Sequence, residues 1–340
     1  SPKKSSGLEM QLLRVGQDIE RMMTIHKATW EFNPLQPYSS LKDEFKKNPV
    51  KAWRDFGARP IDSEYPLIVD PKEFIKKTVA PQLKPTCKFE IFTEQEGPHR
   101  YTSARCTHAD LDPNMQHFIA VDAGKNWDAF SMASAHPEYE ENVDGSTKVL
   151  TVFDWILRIV PVEGTEVKFE FVEDVFKKLL QFQIIEMVRF DHWNSAHLIQ
   201  KIRNMGVPDS MEENIKHEDY SKFVQDAKEG KVRMLPIPKA DLNNQNQRTM
   251  TPEKIAFVEL LELEKDPDTE KVFNPDKGKM RGWHSNDTAS VIVGCHKMVQ
   301  TAFYVKDPFV RSNRNKRKAA LAKRTVTPGM SLSSVYTPEK

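Results

Sequence analysis

The spacing of apolar residues first indicates a helix near the N-terminus. Between residues 7 and 30, apolar residues recur at three- and four-residue steps, beginning with Leu8, Leu12, Val15 and Ile19. This spacing is typical of an amphipathic helix, because it places the apolar side chains on one face. We therefore predict an N-terminal helix, which either joins the protein's own core or docks on a partner.

The next segment, residues 31–85, is marked by eight prolines and by recurring aromatic residues. Proline fixes φ and removes a backbone donor, so such a segment forms stiff, extended connections and short helices. We predict an extended arm that lies along a surface, either this protein's own or a neighbour's. The aromatic residues Trp30, Trp53 and Phe56, in or beside this arm, are candidate contacts with a partner protein.

A different pattern, of period-two alternation and short β-branched runs, follows the arm and predicts strands. Four to five strands are expected, over residues 88–92, 99–106, 117–121, 149–160 and 166–172. The pattern then changes to a helical period. Helices are expected over residues 173–205, 210–229, 252–264 and 286–304.

This order of elements predicts an α+β fold, because the strands and the helices are segregated rather than alternating. The sheet should be small and either antiparallel or mixed, and it is followed by a helical region. The expected regions are an N-terminal helix and Pro-rich arm (1–85), a β-rich region (86–172), a helical region packing on the sheet (173–305) and a basic polar C-terminal tail (306–340).

Charge is distributed unevenly along the chain. The formal net charge is +1, but residues 311–324 contain seven basic residues and no acid, which leaves −6 for the rest. A mildly acidic body argues against a protein that coats nucleic acid, because phosphate neutralisation needs a basic face. The tail is a candidate for limited contact with RNA, anionic lipid or an acidic protein surface. Its basic residues are Arg311, Arg314, Lys316, Arg317, Lys318, Lys323 and Arg324.

Glycine and cysteine usage excludes several classes of protein. The chain lacks GxGxxG, GxxxxGK[ST] and GxSxG, so the standard marks of dinucleotide-binding, P-loop and α/β-hydrolase proteins are absent. Cys87, Cys106 and Cys295 are odd in number and far apart, which predicts reduced thiols in an intracellular compartment. No run of 18 apolar residues occurs, so we predict no transmembrane span.

Metal signatures are also absent from the sequence, which contains no CxxC, HExxH or HxH. The densest group of ligand-type residues is Cys106, His108, Asp110 and Asp112, with His117 nearby. It mixes soft and hard ligands without a familiar spacing, and we interpret it as a polar loop. We therefore predict no catalytic residue, no metal ligand and no cofactor.

One pattern resembles that of the PD-(D/E)xK nucleases, which need an Asp and a Glu to hold Mg²⁺ and a Lys near the attacking water. Asp154 precedes Glu166 and Lys168 by a permissible interval. However, Asp154 lacks the preceding proline and lies in an apolar run. Because ExK is common by chance in a sequence with 29% charged residues, an alternating strand with an exposed Glu/Lys pair is the preferred explanation.

Taken together, these patterns favour a non-catalytic accessory or scaffold subunit of a large intracellular assembly, bound to other protein subunits. A chain that begins at Ser1 rather than Met fits import into an organelle. The hypothesis therefore includes mitochondrial respiratory, ATP synthase and ribosomal complexes, with peripheral contact at most to a membrane. Two alternatives stay open. One is a nucleic-acid-associated or viral structural protein that uses the basic tail, and the other is a metal-dependent nuclease with Asp154, Glu166 and Lys168.

Overall fold

The computed structural model describes residues 27–304 except 34, 48–51, 54, 58–64, 111, 113, 124–128, 142–143, 183, 192–195, 208, 245, 248 and 275–285. Its helices are α1 (Thr29–Phe32), α2 (Lys42–Lys47), α3 (Pro71–Thr78), α4 (Glu170–Leu179), α5 (Ala196–Asn204), α6 (His217–Lys228), α7 (Pro252–Leu261) and α8 (Asp287–Tyr304). Short 3₁₀ helices occur at Tyr38–Leu41 and Lys239–Asp241.

The strands are more evenly spread along the chain than the sequence pattern predicts. They are β1 (Cys87–Glu96), β2 (His99–Ala109), β3 (Gln116–Ala123), β4 (Phe130–Glu141), β5 (Thr147–Ile159), β6 (Glu166–Val167), β7 (Ile184–Phe190), β8 (Ser210–Glu212), β9 (Val232–Arg233), β10 (Glu264–Lys265) and β11 (Val272–Phe273). Helices and mixed sheets are both present, which confirms the α+β fold class.

The central sheet has six strands in the order β8-β7-β3-β4-β5-β9. Strands β3, β4 and β5 form an antiparallel meander. Strand β7 pairs with β3 in parallel, and β8 pairs with β7 in parallel. The carboxyl ends of β3, β7 and β8 therefore lie along the same edge of the sheet.

Helices and a second sheet cover the two faces of the central sheet. One core contains Phe223 of α6, Phe257 of α7 and Ile292 of α8. The other core contains Trp155 of β5 and Phe176 of α4, together with residues of the β1–β2 hairpin. Strand β6 adds to this hairpin by pairing in parallel with β2. Both faces of β3, β4, β5 and β7 are consequently buried.

Two predicted helices are confirmed, and a third is interrupted by a strand. Helices α7 and α8 lie within or close to the predicted ranges 252–264 and 286–304. The helix predicted over 173–205 is wrong as one element, because it consists of α4, then β7, then α5. Strand β7 is buried on both faces although it contains Glu186 and Arg189, so its sequence shows neither the alternation of a half-buried strand nor an unbroken apolar run.

The predicted N-terminal helix over 7–30 lies mostly outside the described residues, as does the tail over 306–340. Within the part of the chain that the structure describes, no helix combines the length and apolarity needed to cross a bilayer.

Candidate functional site

Two aspartates from neighbouring parallel strands lie side by side at the carboxyl edge of the central sheet. Asp122 is the second-last residue of β3, and Asp191 directly follows β7. The backbone N–H of Asp191 donates to the carbonyl of Val121 at 3.2 Å, which fixes the two strand ends against each other. Both aspartates are half-buried. The register of β3 and β7 thus places two carboxylates at one edge.

Helix α8 brings a third aspartate to this edge. Across the β3–β4 pair, Asp122 lies opposite Ser131. The hydroxyl of Ser131 forms a buried 3.1 Å hydrogen bond with the hydroxyl of Thr288 in the first turn of α8. Asp287 is the first residue of that helix and is only 4% exposed. Asp287 therefore lies at the same end of the central sheet as Asp122 and Asp191.

A buried glutamate holds the beginning of α8 in place. One carboxylate oxygen of Glu259, in α7, accepts hydrogen bonds from the backbone N–H groups of Thr288 (2.7 Å) and Ala289 (3.0 Å). The first amides of a helix have no partner within the helix, so such a carboxylate acts as a cap. The other oxygen of Glu259 lies 3.6 Å from Nε of Arg158. This buried arrangement fixes the position of Asp287.

Arg189 places a positive charge behind the aspartates. It lies in β7 two residues before Asp191 and is completely buried. None of its three guanidinium nitrogens has a hydrogen-bond partner among the described residues. Burial lowers the pKa of Arg189, whereas the charges of Asp122, Glu213 and Asp191 raise it. The carboxylates and the guanidinium therefore compensate one another electrostatically.

Tyr220, in α6, packs next to the same charges. Burial raises the pKa of its hydroxyl above the usual value, and the negative charge of Asp122 raises that pKa further. The Tyr220 hydroxyl also forms side-chain hydrogen bonds with Ser290 and Asn286. Tyr220 therefore connects α6 to the beginning of α8 and stays protonated beside Asp122.

The donor set of Asp122, Asp191 and Asp287 fits a hard divalent cation. Carboxylate oxygens are the ligands that Mg²⁺ and Mn²⁺ prefer. Among the described residues, the one group of three whose ligand atoms all lie within 4.8 Å of each other is elsewhere, so these three aspartates are more widely spaced. Mg²⁺ keeps several waters and is held by one or two carboxylates together with substrate phosphates, so such a site needs only two of the three aspartates.

The structure does not bring together the nuclease residues suggested by the sequence. Asp154 is buried in β5, where its carboxylate bonds to two histidines and Ser134. Burial raises the pKa of Asp154, but the nearby histidines lower it well below its usual range. Lys168 pairs with Glu96 and, at 3.4 Å, with Glu94. Asp154, Glu166 and Lys168 therefore do not form one site.

The aromatic residues of the arm contact one another. The rings of Trp30 and Trp53 lie 5.8 Å apart, and Phe45 contacts both of them. The carbonyl of Phe56 accepts a hydrogen bond from the N–H of Thr29 at 2.6 Å. A role of Trp30, Trp53 and Phe56 in partner binding stays a prediction. The seven basic residues predicted to contact a partner, Arg311 to Arg324, lie outside the described residues.

A sequence signal for the aspartate site exists. Asp122 follows the apolar run Phe118–Val121, and Asp191 follows the run Ile184–Phe190, which Glu186 and Arg189 interrupt. An acid directly after a buried strand indicates a site at the carboxyl end of a parallel sheet. The signal is hidden here because the second run resembles part of a helix, so nothing in the sequence pairs Asp191 with Asp122.

Comparison with known proteins gives no family. The sequence matches no protein-family profile and no curated protein. Among solved structures, the fold is similar to the large terminase nuclease of thermophilic phage G20c, with a TM-score of 0.38, 13% identity, and coverage of 68% of this chain and 98% of that chain. It is also similar to the large terminase of a second thermophilic bacteriophage, with a TM-score of 0.40, 12% identity, and coverage of 68% of this chain and 45% of that chain.

A third similarity is to the large terminase of bacteriophage HK97, with a TM-score of 0.39, 10% identity, and coverage of 84% of this chain and 60% of that chain. The present chain thus spans less than two thirds of the second and third of these proteins. At these identities and TM-scores, the likeness by itself assigns neither a family nor an activity.

The interpretation as a non-catalytic scaffold subunit of a mitochondrial respiratory, ATP synthase or ribosomal complex is wrong. The solved structures of similar fold are phage large terminases, one of them a terminase nuclease, rather than mitochondrial subunits. The chain also contains a buried group of potential metal ligands, which the sequence did not reveal. Of the interpretations drawn from the sequence, the metal-dependent nuclease agrees better with these findings than the scaffold subunit does.

Proposed function

We propose that the protein is a metal-dependent nuclease whose divalent cations are held by Asp122, Asp191 and Asp287. The observation that carries this proposal is the joining of β3 and β7 at their carboxyl ends, which sets Asp122 and Asp191 side by side. The solved structures of similar fold, which are phage large terminases and a terminase nuclease, agree with this proposal.

The proposed reaction is hydrolysis of a phosphodiester bond in nucleic acid. When bound, a divalent cation supplies Lewis-acid activation of the phosphate and lowers the pKa of a bound water, which makes it a nucleophile at neutral pH. The aspartates hold and orient the cation. Arg189 and Glu259 keep the two sides of the site fixed, through the charge behind Asp122 and Asp191 and through the cap at the start of α8.

The basic tail complements the acidic body in this proposal. Residues 311–324 carry seven positive charges, and the remaining chain has a net charge of −6. An acidic body gains little from phosphate contacts, so we infer that the tail supplies much of the sequence-independent affinity for nucleic acid. An intracellular location and contacts with further protein subunits, through the arm, belong to the same proposal.

The test is cleavage of plasmid DNA and of labelled DNA and RNA oligonucleotides by the full chain. We expect cleavage with Mg²⁺ or Mn²⁺ and none with EDTA. Asp122→Asn, Asp191→Asn and Asp287→Asn should each lower the rate at least about 100-fold, because each removes a metal ligand. Asp268→Asn, at an exposed turn, is the matched control and should cleave normally. Equal rates for all four variants would refute the proposal.

A truncation after residue 310 tests the role of the tail. If residues 311–324 bind phosphates, the truncated chain should bind DNA more weakly while its maximal cleavage rate stays the same. The slope of log affinity against log salt should become shallower by up to about 6, the value for seven neutralised phosphates. If truncation leaves this slope unchanged, residues 1–310 rather than the basic tail bind the DNA phosphates.

A further inference from the structure

A second group of potential metal ligands lies inside the central sheet. His117 is in β3, His136 in β4 and Asp154 in β5, which are adjacent strands. Nδ1 of His117 lies 2.8 Å from one carboxylate oxygen of Asp154, and Nδ1 of His136 lies 2.6 Å from the other. The hydroxyl of Ser134 donates to the same carboxylate at 2.8 Å. All four side chains are buried.

A β-bulge directs Asp154 towards the histidines. In the pairing of β4 with β5, Ser134 lies opposite Trp155 and Ala135 lies opposite Phe153, so Asp154 is an extra residue. Bulges change the direction of a side chain and are typical of functional positions. The bulge explains how an aspartate inside an apolar run comes to lie next to two imidazoles.

Hydrogen bonds within the described residues do not satisfy this group completely. His117 is 2% exposed, and its Nε2 has no hydrogen-bond partner among the described residues. Asp154 brings a negative charge into the interior, which either a protonated His136 or a bound cation would balance. Two imidazoles and one carboxylate in contact can exchange the bound proton for a metal ion.

The group is separate from the aspartate site. His117 lies five residues before Asp122 in β3, a distance of roughly 17 Å along an extended strand. Alternate residues of a strand lie on the same face of the sheet, so Ser134 shares a face with Phe130 and Met132. These two residues belong to the core formed with α4, whereas α8 packs on the other core. The group therefore lies on the face of the sheet opposite α8. A ligand bound here would not touch a substrate at Asp122.

We propose that His117, His136 and Asp154 bind a structural zinc ion. One ligand atom from each residue lies within 4.8 Å of the others, and two imidazole nitrogens with one carboxylate oxygen are typical zinc ligands. The Ser134 hydroxyl or a water completes a tetrahedral set. The hydrogen-bonded separations of 2.6 and 2.8 Å are shorter than the roughly 3.3 Å between ligands of tetrahedral zinc, so binding moves the side chains apart by about half an ångström.

The ion would join the three strands of the antiparallel meander at one point, which is a stabilising and not a catalytic role. Imidazole ligands favour zinc over Mg²⁺, whereas the aspartate site favours Mg²⁺ and Mn²⁺. The two sites can therefore be loaded and tested independently.

The test is the metal content of the full chain after incubation with zinc and removal of free metal by gel filtration. We expect about one zinc ion per chain, and a visible absorption spectrum of tetrahedral cobalt when Co²⁺ replaces zinc. His117→Asn and His136→Asn should lower the zinc content at least tenfold. Asp122→Asn is the control and should keep its zinc.

Because the histidine variants could unfold, the unmodified chain provides a second readout. Zinc should raise its melting temperature, and 1,10-phenanthroline should reverse the increase. No stoichiometric zinc together with no shift would overturn the proposal, and so would zinc that is retained in folded His117→Asn. Neither outcome depends on nuclease activity.

Discussion

Gly294 in α8 lies directly against the buried guanidinium of Arg189 in β7. A Cβ at position 294 would be 2.6 Å from Nη1 of Arg189 and 3.1 Å from Cβ of Ala120. Real Cβ atoms essentially never come within 3.0 Å of another heavy atom, so position 294 must be glycine while Arg189 keeps its place. The absence of a side chain lets α8 cover the guanidinium and exclude water from it.

Gly294→Ala should lower the free energy of unfolding by about 1 to 3 kcal/mol, the usual cost of overpacking a core. In a helix interior with free space, Gly→Ala stabilises the protein by roughly 0.5 to 1 kcal/mol. A decrease in the free energy of unfolding therefore indicates a steric clash at position 294, and an increase indicates none. Urea unfolding of both chains measures the difference. In an Arg189→Met background the cost of the alanine should be smaller, and an equal cost in both backgrounds would show that the guanidinium is not the obstacle.

Arg189→Met removes the buried positive charge that acts on Asp122 and Asp191. If Asp122 and Asp191 bind divalent cations, Mn²⁺ should replace part of the lost positive charge. The melting temperature of the variant should therefore rise more with Mn²⁺ than that of the unmodified chain. Thermal denaturation with and without Mn²⁺ measures the rise in melting temperature of both chains. An equal rise in the two chains would show that the charge of Arg189 does not act on the cation site.

The α+β fold class follows from the sequence, but the order of the strands does not. Strands with one exposed face, such as β1, show clear alternation and were predicted. Strand β4 begins with seven consecutive buried residues that include Ser131, Ser134 and His136, so it shows neither alternation nor an apolar run. Buried polar residues are satisfied only by partners distant in the sequence, and local patterns cannot reveal them.

His296 gives a pH dependence with a defined sign. Its Nε2 lies 3.1 Å from Asp226 and its Nδ1 lies 2.9 Å from the Thr151 hydroxyl. Burial lowers the pKa of His296, although Asp226 opposes this effect. Just below pH 6.5, the unfolded chain therefore binds a proton at His296 more readily than the folded chain does. The contribution of neutral, buried His296 to the free energy of unfolding is present above pH 6.5. It is lost as the pH falls through the pKa of His296 in the folded chain.

The free energy of unfolding should therefore fall between about pH 7 and pH 5 in the unmodified chain, and His296→Gln should make this fall smaller. Urea unfolding of both chains across this range gives the comparison. Asp226 stays ionised throughout, because hydrogen bonds from His296 and two lysines hold its pKa well below the usual value despite its burial. Parallel pH profiles for the two chains would show that His296 does not titrate differently on folding.

Glu166→Gln and Lys168→Met should leave DNA cleavage unchanged within about twofold. Lys168 pairs with Glu94 and Glu96 on the β1–β2 hairpin, and Glu166 is exposed, so neither residue belongs to the aspartate site. Single-turnover cleavage with saturating Mg²⁺ measures the effect. A loss comparable to that of Asp122→Asn would restore the nuclease arrangement suggested by the sequence alone.

The aspartate site was beyond sequence reasoning for a physical reason. Asp122, Asp191 and Asp287 are separated by 69 and 96 positions, and only the parallel pairing of β3 with β7 and the packing of α8 bring them together. The Asp154, Glu166 and Lys168 pattern was easier to see because its members are close in the sequence. Short spacing did not imply proximity here, because Lys168 has its own partners on the hairpin.

The most direct test of the account is the single-turnover rate of DNA cleavage by Asp191→Asn, measured over a range of Mg²⁺ and Mn²⁺ concentrations beside Asp268→Asn. Asp191 belongs to the site only because β7 pairs with β3. We predict that Asp268→Asn cleaves like the unmodified chain and that Asp191→Asn is at least about 100-fold slower while still folded. Normal cleavage by folded Asp191→Asn would contradict the account.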